Sequence, residues 1–337
     1  MDNSLLAAAD PVEDSTAADV LRTSFGLAGV LSRLPGEADD NFLLQAPAGE
    51  RYVVKFAHPL TDRAVIDRQA HVLKHLETTT NLPVQRVVPA LTGELITREQ
   101  DRIVLVTTYL PGTQMRETTM TKPLRRHLGA TLAALARALK ELPGEPRTLL
   151  WDIAQFGSLR PLAAELPPQF DRDLLTGLID QFTERTEPRL QALRTQLVHN
   201  DFNVDNILID AGTGEIAGIL DFGDMTVTAL ANDVAIAAGY QLSDSAEPAT
   251  GALDLIAGYH AITPLTRAET ELLPELIVAR LTARVVIPRW RALRFPGNEE
   301  YIMRSTAMAW AHLNRMLAVS TSELAERIHA TTEAPHA

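Results

Sequence analysis

Two short polar motifs between residues 197 and 224 have the residue types and spacing that phosphoryl transfer requires. The first is H-x-D-x-x-x-x-N, formed by His199, Asp201 and Asn206, and the second is D-F-G, which begins at Asp221. Phosphoryl transfer demands little covalent chemistry from a protein, which mainly positions groups and neutralises phosphate charge. Asp201 can stand beside an attacking hydroxyl. Asn206 and Asp221 can hold Mg²⁺, which prefers oxygen ligands.

The residues between the two motifs are predicted to form a hairpin that brings the two metal ligands together. Residues 207–209 and 219–220 are apolar and suit strands, and residues 211–214 have the composition of a turn. Asn206 then precedes one strand and Asp221 follows the other. The alternative is a polar hairpin with a solvated turn, which a D-F-G motif alone would favour. Both motifs in this order favour a kinase-like site.

A lysine near the N-terminus lies on a strand that is otherwise largely apolar. Burying Lys55 is costly unless it has an anionic partner, which nucleotide phosphates supply in kinases. The loop at residues 35–41 stands where a cover over the phosphates is needed. It lacks G-x-G-x-x-G, so backbone amides and Asn41 would have to serve. The alternatives are an edge-strand lysine that faces water and a simple hairpin turn. The strands predicted here are residues 31–34, 42–45 and 51–56.

A predicted helix over residues 62–77 offers a partner for this lysine. Aliphatic residues recur on one face at helical spacing, and Gln69 interrupts that face. In kinases the equivalent helix carries a glutamate that orients the lysine. Gln69 can hydrogen-bond Lys55 but cannot form an ion pair with it. The alternative is an ordinary surface glutamine.

Two or three further strands are predicted at residues 87–89, 93–97 and 102–107, before the sequence Thr108-Tyr109-Leu110-Pro111-Gly112. An apolar strand followed by Leu-Pro-Gly is typical of a hinge between lobes. Backbone groups of Thr108, Tyr109 and Leu110 could then pair with a purine edge. A routine strand-to-helix turn is the alternative.

The rest of the chain is predicted to be mainly helical, so the fold class is α+β. The division predicted is a flexible tail over residues 1–17, a nucleotide-binding lobe over 18–110 and a helical catalytic and substrate-binding lobe over 111–337. A short helix is expected at residues 16–25. Longer helical segments are expected at residues 125–142, 171–196 with a break at Pro188, 232–238, 252–260, 266–294 and 299–330.

Composition narrows the classes of function. The chain has 337 residues, a net charge of -12 and no cysteine, which excludes disulfides and cysteine-based zinc sites. The acidic balance argues against nucleic-acid and anionic-membrane partners. No apolar run approaches the ~20 residues of a membrane span, and the acidic N-terminus lacks the basic start of a signal peptide. A cytoplasmic location is expected.

These motifs together resemble the aminoglycoside phosphotransferase and choline kinase superfamily, over about residues 25–320. Its members have a protein-kinase-like two-lobe fold, with an N-terminal antiparallel sheet, one main helix and a larger helical lobe. Shorter stretches resemble its hydroxylysine kinase branch, namely Asp40-Asn41-Phe42, Gln69, Thr108 to Gly112, Asn203, residues 218–225 and residues 262–266. Asn200 stands where the family usually has glycine, and Val204 and Asp205 also depart from the branch.

The resemblance implies a role for each matching residue. Asp201 would accept or orient the proton of the substrate hydroxyl, and Asn206 and Asp221 would bind Mg²⁺. Lys55 would steady the α- and β-phosphates of ATP or GTP. His199 would brace the loop, and Asp233 is also expected to be structural.

The substrate end of the site is predicted from charge and from the family layout. Asp224 could attract a substrate ammonium, because an acidic pocket suits a cation. Arg280 lies inside an apolar helix and could bind a substrate carboxylate as a fork, or form a structural ion pair with an acid such as Asp233. Asn203 and Trp151 are the remaining candidates for substrate contact.

The resemblance therefore implies transfer of a γ-phosphate to a cationic or zwitterionic amino alcohol or hydroxy amino acid, with 5-hydroxylysine first. Homoserine, choline, ethanolamine and aminoglycosides stay open, as do the choice of ATP or GTP and a homodimer. A protein kinase is disfavoured because eleven residues separate Asp221 from Asp233 and no A-P-E follows. A catalytically inactive nucleotide-binding module is disfavoured because the base, the metal ligands and the lysine are all present.

Overall fold

The computed structural model describes residues 9–36, 38–295, 297 and 299–333. Contacts divide the chain into two compact units, one built from the chain up to residue 114 with residues 206–223, and one from residues 115–205 with residues 224–337. The hairpin after Asn206 thus belongs with the N-terminal sheet, whereas the predicted division assigned everything after residue 110 to the C-terminal part.

An antiparallel sheet of five strands dominates the first unit. Alternating side chains are buried, including Phe42, Leu44, Val54 and Phe56, which gives the sheet an apolar face. A single long helix, capped by Asp62, accompanies it. In spatial order the strands are β1 (Val30–Leu34), β2 (Asp40–Gln45), β3 (Arg51–Phe56), β5 (Arg102–Thr108) and β4 (Thr97–Glu99), and the helix is α2 (Arg63–Thr79).

The hairpin forms a second sheet in the same unit. Its strands β8 (Ile207–Ile209) and β9 (Ile216–Ile219) pair with each other, and β8 also pairs with β6 (Thr113–Gln114). Ile219 N donates to the carbonyl of Pro83 at 2.8 Å. These bonds tie the hairpin to residues far earlier in the chain.

The N-terminal helix begins earlier than expected. Helix α1 (Asp14–Val20) continues into a π-helical turn at Leu21–Phe25. Val12 and Ala17 are buried in the core of the first unit, so residues 12–17 pack there rather than forming a tail. The part of the predicted tail before residue 9 lies outside the described residues.

The second unit is mainly helical and contains one small antiparallel sheet. Its two strands are β7 (Thr195–Val198) and β10 (Thr226–Ala229). Its helices are α3 (Lys122–Leu139), α4 (Arg160–Ala164), α5 (Arg172–Gln181), α6 (Glu187–Leu190), α7 (Leu230–Gly239), α8 (Thr250–Ile262), α9 (Arg267–Arg294), α10 (Glu299–Met303), α11 (Thr306–Leu317) and α12 (Thr321–Glu333).

Helices α3 and α8 touch backbone to backbone through two glycines. A Cβ atom at Gly129 would lie 2.0 Å from the carbonyl oxygen of Leu255, and one at Gly258 would lie 1.9 Å from that of Arg126. Both distances are far below van der Waals contact, so this helix pair requires glycine at both positions.

Helix α9 is the longest element and carries charged residues into the interior. A capping box of Thr266 and Glu269 fixes its start, and the buried Glu269 pairs with Arg194 at 2.7 Å. Arg280 and Arg284, further along the helix, are also buried. The site described below depends on these two arginines.

The structure differs from the predicted elements in three places. Residues 195 and 196, predicted as the end of a helix, belong to β7 because pairing with β10 overrides helical periodicity. Residues 87–89 contribute one isolated bridge, from Val87 to Thr107, and Gly93 lies in a turn, so the only strand found before β5 in this stretch of the described chain is β4. The segment predicted as one helix over 299–330 is three helices. No helix within the described ranges is long and apolar enough to cross a membrane.

Candidate functional site

Asp233 holds the loop that carries Asp201 through hydrogen bonds to its backbone. This carboxylate lies in the first turn of α7 and accepts the backbone N–H groups of His199 at 3.2 Å and Asn200 at 2.8 Å. His199 is fully buried, and its Nδ1 accepts the N–H of Asp201 at 3.3 Å. Asn200 has a left-handed φ of 63°. Three successive backbone amides are therefore held by two buried side chains.

Burial and these contacts act in opposite directions on the pKa of Asp233. Burial raises the pKa of this carboxyl, while the charge of His199 and the two backbone hydrogen bonds oppose that rise. A buried carboxylate that accepts two amides is fixed in position. The structural role expected of His199 and Asp233 stays a prediction.

Arg280 binds Asp201 directly. Its Nη2 donates to Asp201 Oδ1 at 2.9 Å, and its Nη1 donates to the carbonyl of Trp151 at 2.9 Å. The Arg280 side chain is 2% exposed and that of Asp201 is 21% exposed. Arg280 therefore pairs with Asp201. The two roles predicted for Arg280 were a fork that binds a substrate carboxylate and an ion pair with an acid such as Asp233, and neither named Asp201.

The carbonyl that receives Arg280 is itself positioned by a buried acid. Asp152 caps the 3₁₀ turn that follows, accepting the N–H of Ala154 at 3.0 Å and the hydroxyl of Thr228 at 3.1 Å. Burial raises the pKa of Asp152, against the lowering effect of these bonds. Trp151 also places its ring 5.2 Å from the Arg280 guanidinium, so Trp151 contacts the arginine through both backbone and ring.

Tyr240 and Asp224 complete the electrostatic surroundings of Arg280. Burial lowers the pKa of the Arg280 guanidinium, but electrostatic interactions with Tyr240, Asp201 and Asp224 and a hydrogen bond with Tyr240 outweigh it, so the net pKa is raised. Arg280 is therefore always charged. Asp224, predicted to attract a substrate ammonium, acts on this arginine from the same unit.

Asn203 stabilises the loop after Asp201. Its N–H donates to the carbonyl of Asp201 at 2.9 Å, and its Oδ1 accepts the N–H of Asp205 at 2.7 Å. Asp205 in turn pairs with Arg116, whose backbone N–H binds the carbonyl of Val204. The residues that depart from the expected branch are thus held within the loop. The predicted contact of Asn203 with substrate stays a prediction.

In the first unit, the hairpin brings the two predicted metal ligands to the same end. Leu220 N donates to the carbonyl of Asn206 at 2.8 Å, so Asn206 and Asp221 stand on neighbouring strand ends. Asp221 is exposed, adopts a left-handed φ of 56° and accepts the N–H of Gly223 at 3.1 Å. A carboxylate and an amide oxygen at one strand end fit a hard divalent cation. The described residues contain no cluster of three or more acidic or histidine side chains that would form a different metal site.

Lys55 pairs with a residue that the sequence reasoning missed. Its Nζ lies 3.3 Å from Asp39 Oδ2, and Asp39 Oδ1 accepts the N–H of His58 at 2.8 Å. Asn41 stands opposite Lys55 in the register of β2 and β3. Gln69 is 5% exposed, and its Oε1 has no hydrogen-bond partner among the described residues. The expected Lys55–Gln69 hydrogen bond through that oxygen is therefore wrong. Glu37, in the predicted phosphate cover, lies outside the described residues.

The predicted hinge has part of its backbone already engaged. Thr108 N donates to the carbonyl of Arg86 at 2.8 Å, and Tyr109 N donates to that of Arg51 at 2.9 Å. The Arg51 guanidinium also stacks 4.1 Å from the Tyr109 ring. Of the backbone groups predicted to meet a purine, these two amides are occupied, which leaves the Tyr109 carbonyl and Leu110 as the candidates.

Three residues that contact or neighbour the predicted candidates within their own units escaped sequence reasoning, and each had a faint signal. Asp39 is an acidic residue directly before β2, two positions before Asn41. Arg284 lies four residues after Arg280, which places both on one face of a helix. Tyr240 directly follows α7, whose first turn contains Asp233. None of these signals is specific without the fold.

The chain is similar to several known proteins. The model of the phosphotransferase enzyme family matches residues 30–273. A hydroxylysine kinase of Danio rerio is 28% identical over 334 residues, covering 93% of this chain and 94% of that protein. A homoserine kinase of Chelativorans sp. (strain BNC1) is 29% identical over 293 residues, covering 80% of this chain and 84% of that protein.

A solved structure gives the fold. The amicoumacin kinase hAmiN, in complex with AMP-PNP, Ca²⁺ and Ami, matches with a TM-score of 0.70 at 16% identity, covering 92% of this chain and 95% of that one. The predicted α+β, protein-kinase-like fold class is confirmed, as is the resemblance drawn from the motifs.

Proposed function

The chain belongs to the phosphotransferase enzyme family, and from this membership we propose that it transfers the γ-phosphate of ATP or GTP to the side-chain hydroxyl of a small amino acid, with 5-hydroxylysine as the first candidate. That it is a small-molecule kinase with an alcohol acceptor follows from the family and from its hydroxylysine kinase relatives. The acceptor and the nucleotide are the proposed part.

The observation that carries the proposal is the pairing of Asp201 with the buried Arg280. A general base must be held where it can reach one proton, and geometry matters before basicity. Here the base is fixed by the 2.9 Å bond to Arg280, and its backbone is fixed by His199. An inactive nucleotide-binding module would have no need of such a construction around one carboxylate.

In the proposed reaction, the hydroxyl oxygen of the acceptor attacks the γ-phosphorus. The new oxygen–phosphorus bond forms as the bond from the γ-phosphorus to the bridging oxygen breaks, and the nucleoside diphosphate departs. The hydroxyl proton passes to the carboxylate of Asp201. Arg280 keeps that carboxylate oriented throughout, which lowers the entropy cost of reaching the reactive geometry.

The first unit supplies the phosphate-binding groups in this proposal. Lys55 steadies the α- and β-phosphates, and Asn206 and Asp221 hold a divalent cation, for which we propose Mg²⁺. Such a cation, when bound, neutralises phosphate charge and orients the leaving group. Asn41, Tyr109 and Leu110 are proposed to contact the nucleotide.

Homoserine is the second candidate acceptor, because a homoserine kinase matches the chain at an identity similar to that of the hydroxylysine kinase. Both acceptors carry a hydroxyl, an ammonium and a carboxylate. They differ in the length of the chain between the hydroxyl and the amino acid group, and 5-hydroxylysine carries a second ammonium. Both the length of the pocket and its charge would therefore separate them.

The test is nucleotide-dependent phosphorylation by purified full-length protein, followed by mass spectrometry of the product. Each of ATP and GTP is supplied with Mg²⁺ and with 5-hydroxylysine, homoserine, choline, ethanolamine or an aminoglycoside. Turnover confined to one hydroxy amino acid is expected. An Asp201→Asn variant should bind nucleotide but lose at least about 100-fold in kcat. Turnover only with an aminoglycoside or choline would refute the proposed acceptor class.

A further inference from the structure

Two arginines on one face of α9 are buried almost completely. Arg280 is 2% exposed and Arg284 is 4% exposed, and the spacing of four residues stacks them along the helix. A buried cation is costly unless an anion and hydrogen bonds compensate it. Each arginine therefore requires a partner.

Both terminal nitrogens of Arg280 are hydrogen-bonded, whereas one terminal nitrogen of Arg284 is not hydrogen-bonded to any described residue. Arg280 is satisfied at Nη1 and Nη2 by Trp151 and Asp201. The Arg284 guanidinium stacks 3.9 Å from the centroid of the Tyr240 ring. Its Nη2 is buried and has no hydrogen-bond partner in the described part of the chain. The Tyr240 ring packs on one face of the guanidinium. Nη2, on the edge of the guanidinium, is a donor without an acceptor among the described residues.

Arg284 lies beside a second cation. Arg280 is the neighbouring positive charge, and Asp201, which is already bound to Arg280, supplies the opposing charge. Burial lowers the pKa of Arg284, and the neighbouring Arg280 lowers it further, against Tyr240 and Asp201. Burial and the charge of Arg284 also lower the pKa of His312, so that its ring is neutral. The Arg284 Nη2 donor is therefore the group that is left to bind a further acceptor.

We propose that Arg284, held flat against Tyr240, binds the carboxylate of the acceptor substrate, so that the enzyme selects hydroxy amino acids over amino alcohols. This inference rests on the proposed function and adds the residue that recognises the carboxylate of its acceptor. A guanidinium edge matches a carboxylate in shape and charge. A substrate that lacks the carboxylate leaves Nη2 buried and unpaired, which weakens binding. Arg284 thus takes the role that the sequence had suggested for Arg280.

The test compares acceptors that differ only in the carboxylate. One pair is 5-hydroxylysine and 1,5-diaminopentan-2-ol, and the other is homoserine and 3-aminopropan-1-ol. For the wild-type protein, kcat/KM should be about 100-fold higher for the carboxylated member of the pair that is used. Arg284→Met should remove that advantage mainly through KM, so that the two members of the pair give similar kcat/KM. Arg284→Lys, which keeps the charge without the fork, should lie between them.

A matched control is available on the same helix. Arg289 stacks against Phe170 and Trp310 and binds the carbonyl of Phe170, so Arg289→Met tests the loss of a stacked arginine elsewhere. It should leave the preference for the carboxylated acceptor unchanged. Circular dichroism and thermal unfolding of each variant establish that it is folded, and Arg284→Lys serves if Arg284→Met does not fold.

The two proposals fail in different ways. Equal wild-type kcat/KM for the carboxylated and decarboxylated acceptors would overturn the carboxylate site and leave the kinase proposal intact. If no amino acid is phosphorylated, the proposed acceptor fails, and calorimetry with the same pairs tests the site by itself. Binding of the amino acid alone, lost in Arg284→Met, would support the site, and an absence of such binding would overturn it.

Discussion

Replacing Arg280 with methionine should show how much of the catalytic rate depends on the orientation of the Asp201 carboxylate, because Asp201 itself is still present. Methionine fills a similar volume without a charge or a donor. It removes the bonds that Arg280 makes to Asp201 Oδ1 and to the Trp151 carbonyl, each at 2.9 Å, together with its hydrogen bond to Tyr240. The backbone brace from Asp233 and His199 is unchanged. The base stays on its loop but its carboxylate is no longer fixed.

The catalytic magnitude follows from the loss of orientation. A misplacement of about 1 Å at a reacting group costs on the order of 100-fold in rate. We therefore expect kcat to fall by about 100-fold, or about 2.7 kcal/mol in the activation barrier. Nucleotide binding should not change, because Lys55 and the metal ligands lie in the other unit.

The cost in stability should be smaller than for a typical broken buried pair. Removing one partner of such a pair costs about 3–5 kcal/mol when the other charge stays buried. Asp201 is 21% exposed, so water can reach the carboxylate that is left behind, and the buried guanidinium is removed as well. We expect a loss of about 2 kcal/mol, which for 337 residues corresponds to about 3 °C in Tm.

Steady-state kinetics and urea unfolding of Arg280→Met measure these two effects. Arg280→Lys is the control, since it keeps the charge and one donor and should recover part of kcat. A methionine variant with wild-type kcat would refute the reasoning, because Asp201 would then need no partner. A variant that lost nucleotide affinity in proportion to kcat would also contradict it.

Three further predictions concern the metal site, pH and the loop backbone. Asp221→Ala should abolish the metal-dependent part of nucleotide affinity, measured by titration with and without Mg²⁺, and affinity that still depends on Mg²⁺ would show the ligand to be elsewhere. Burial lowers the pKa of His312, so its contribution to stability is present above its usual pKa of about 6.5 and is lost as pH falls through the lower folded value. Urea unfolding across pH 5–8 should show this loss, and a His312→Gln variant with an equally steep loss would exclude His312 as the cause. Asn200→Gly should stabilise the protein by about 1 kcal/mol in the same assay, because it removes a left-handed side chain and two buried amide atoms without partners, less the backbone entropy of glycine; a loss of stability would mean that this amide is satisfied.

The residues of the hairpin could be predicted because their information is local. Asn206 and Asp221 flank two apolar runs joined by a turn, and the strand period places them at one end whatever else surrounds them. The sheet of the first unit could likewise be predicted, from the alternation of apolar and polar residues along its strands. In contrast, β7 was missed because its pairing with β10 joins residues about thirty positions apart, and local periodicity carries no signal of that kind.

The partners of the two predicted cations could not be deduced for the same reason. Lys55 was matched to Gln69 by analogy, but Asp39 has the charge and lies close enough to pair with it. Arg280 reaches Asp201 across 79 positions in the chain. Which of several acids a buried arginine meets depends on the packing of α9, and sequence spacing does not encode it.

The hairpin between residues 206 and 223 has a consequence for how the protein is made. The first unit needs β8 beside β6 and Ile219 against Pro83, so it lacks part of its structure until the ribosome has synthesised roughly a hundred residues beyond residue 114. At about 5–20 residues per second, that delay is on the order of 5–20 s. During this interval, the edge of β6 and the surface that receives the hairpin are open to chaperones and to neighbouring nascent chains. Neither half of the gene, cut at residue 114, encodes a complete unit.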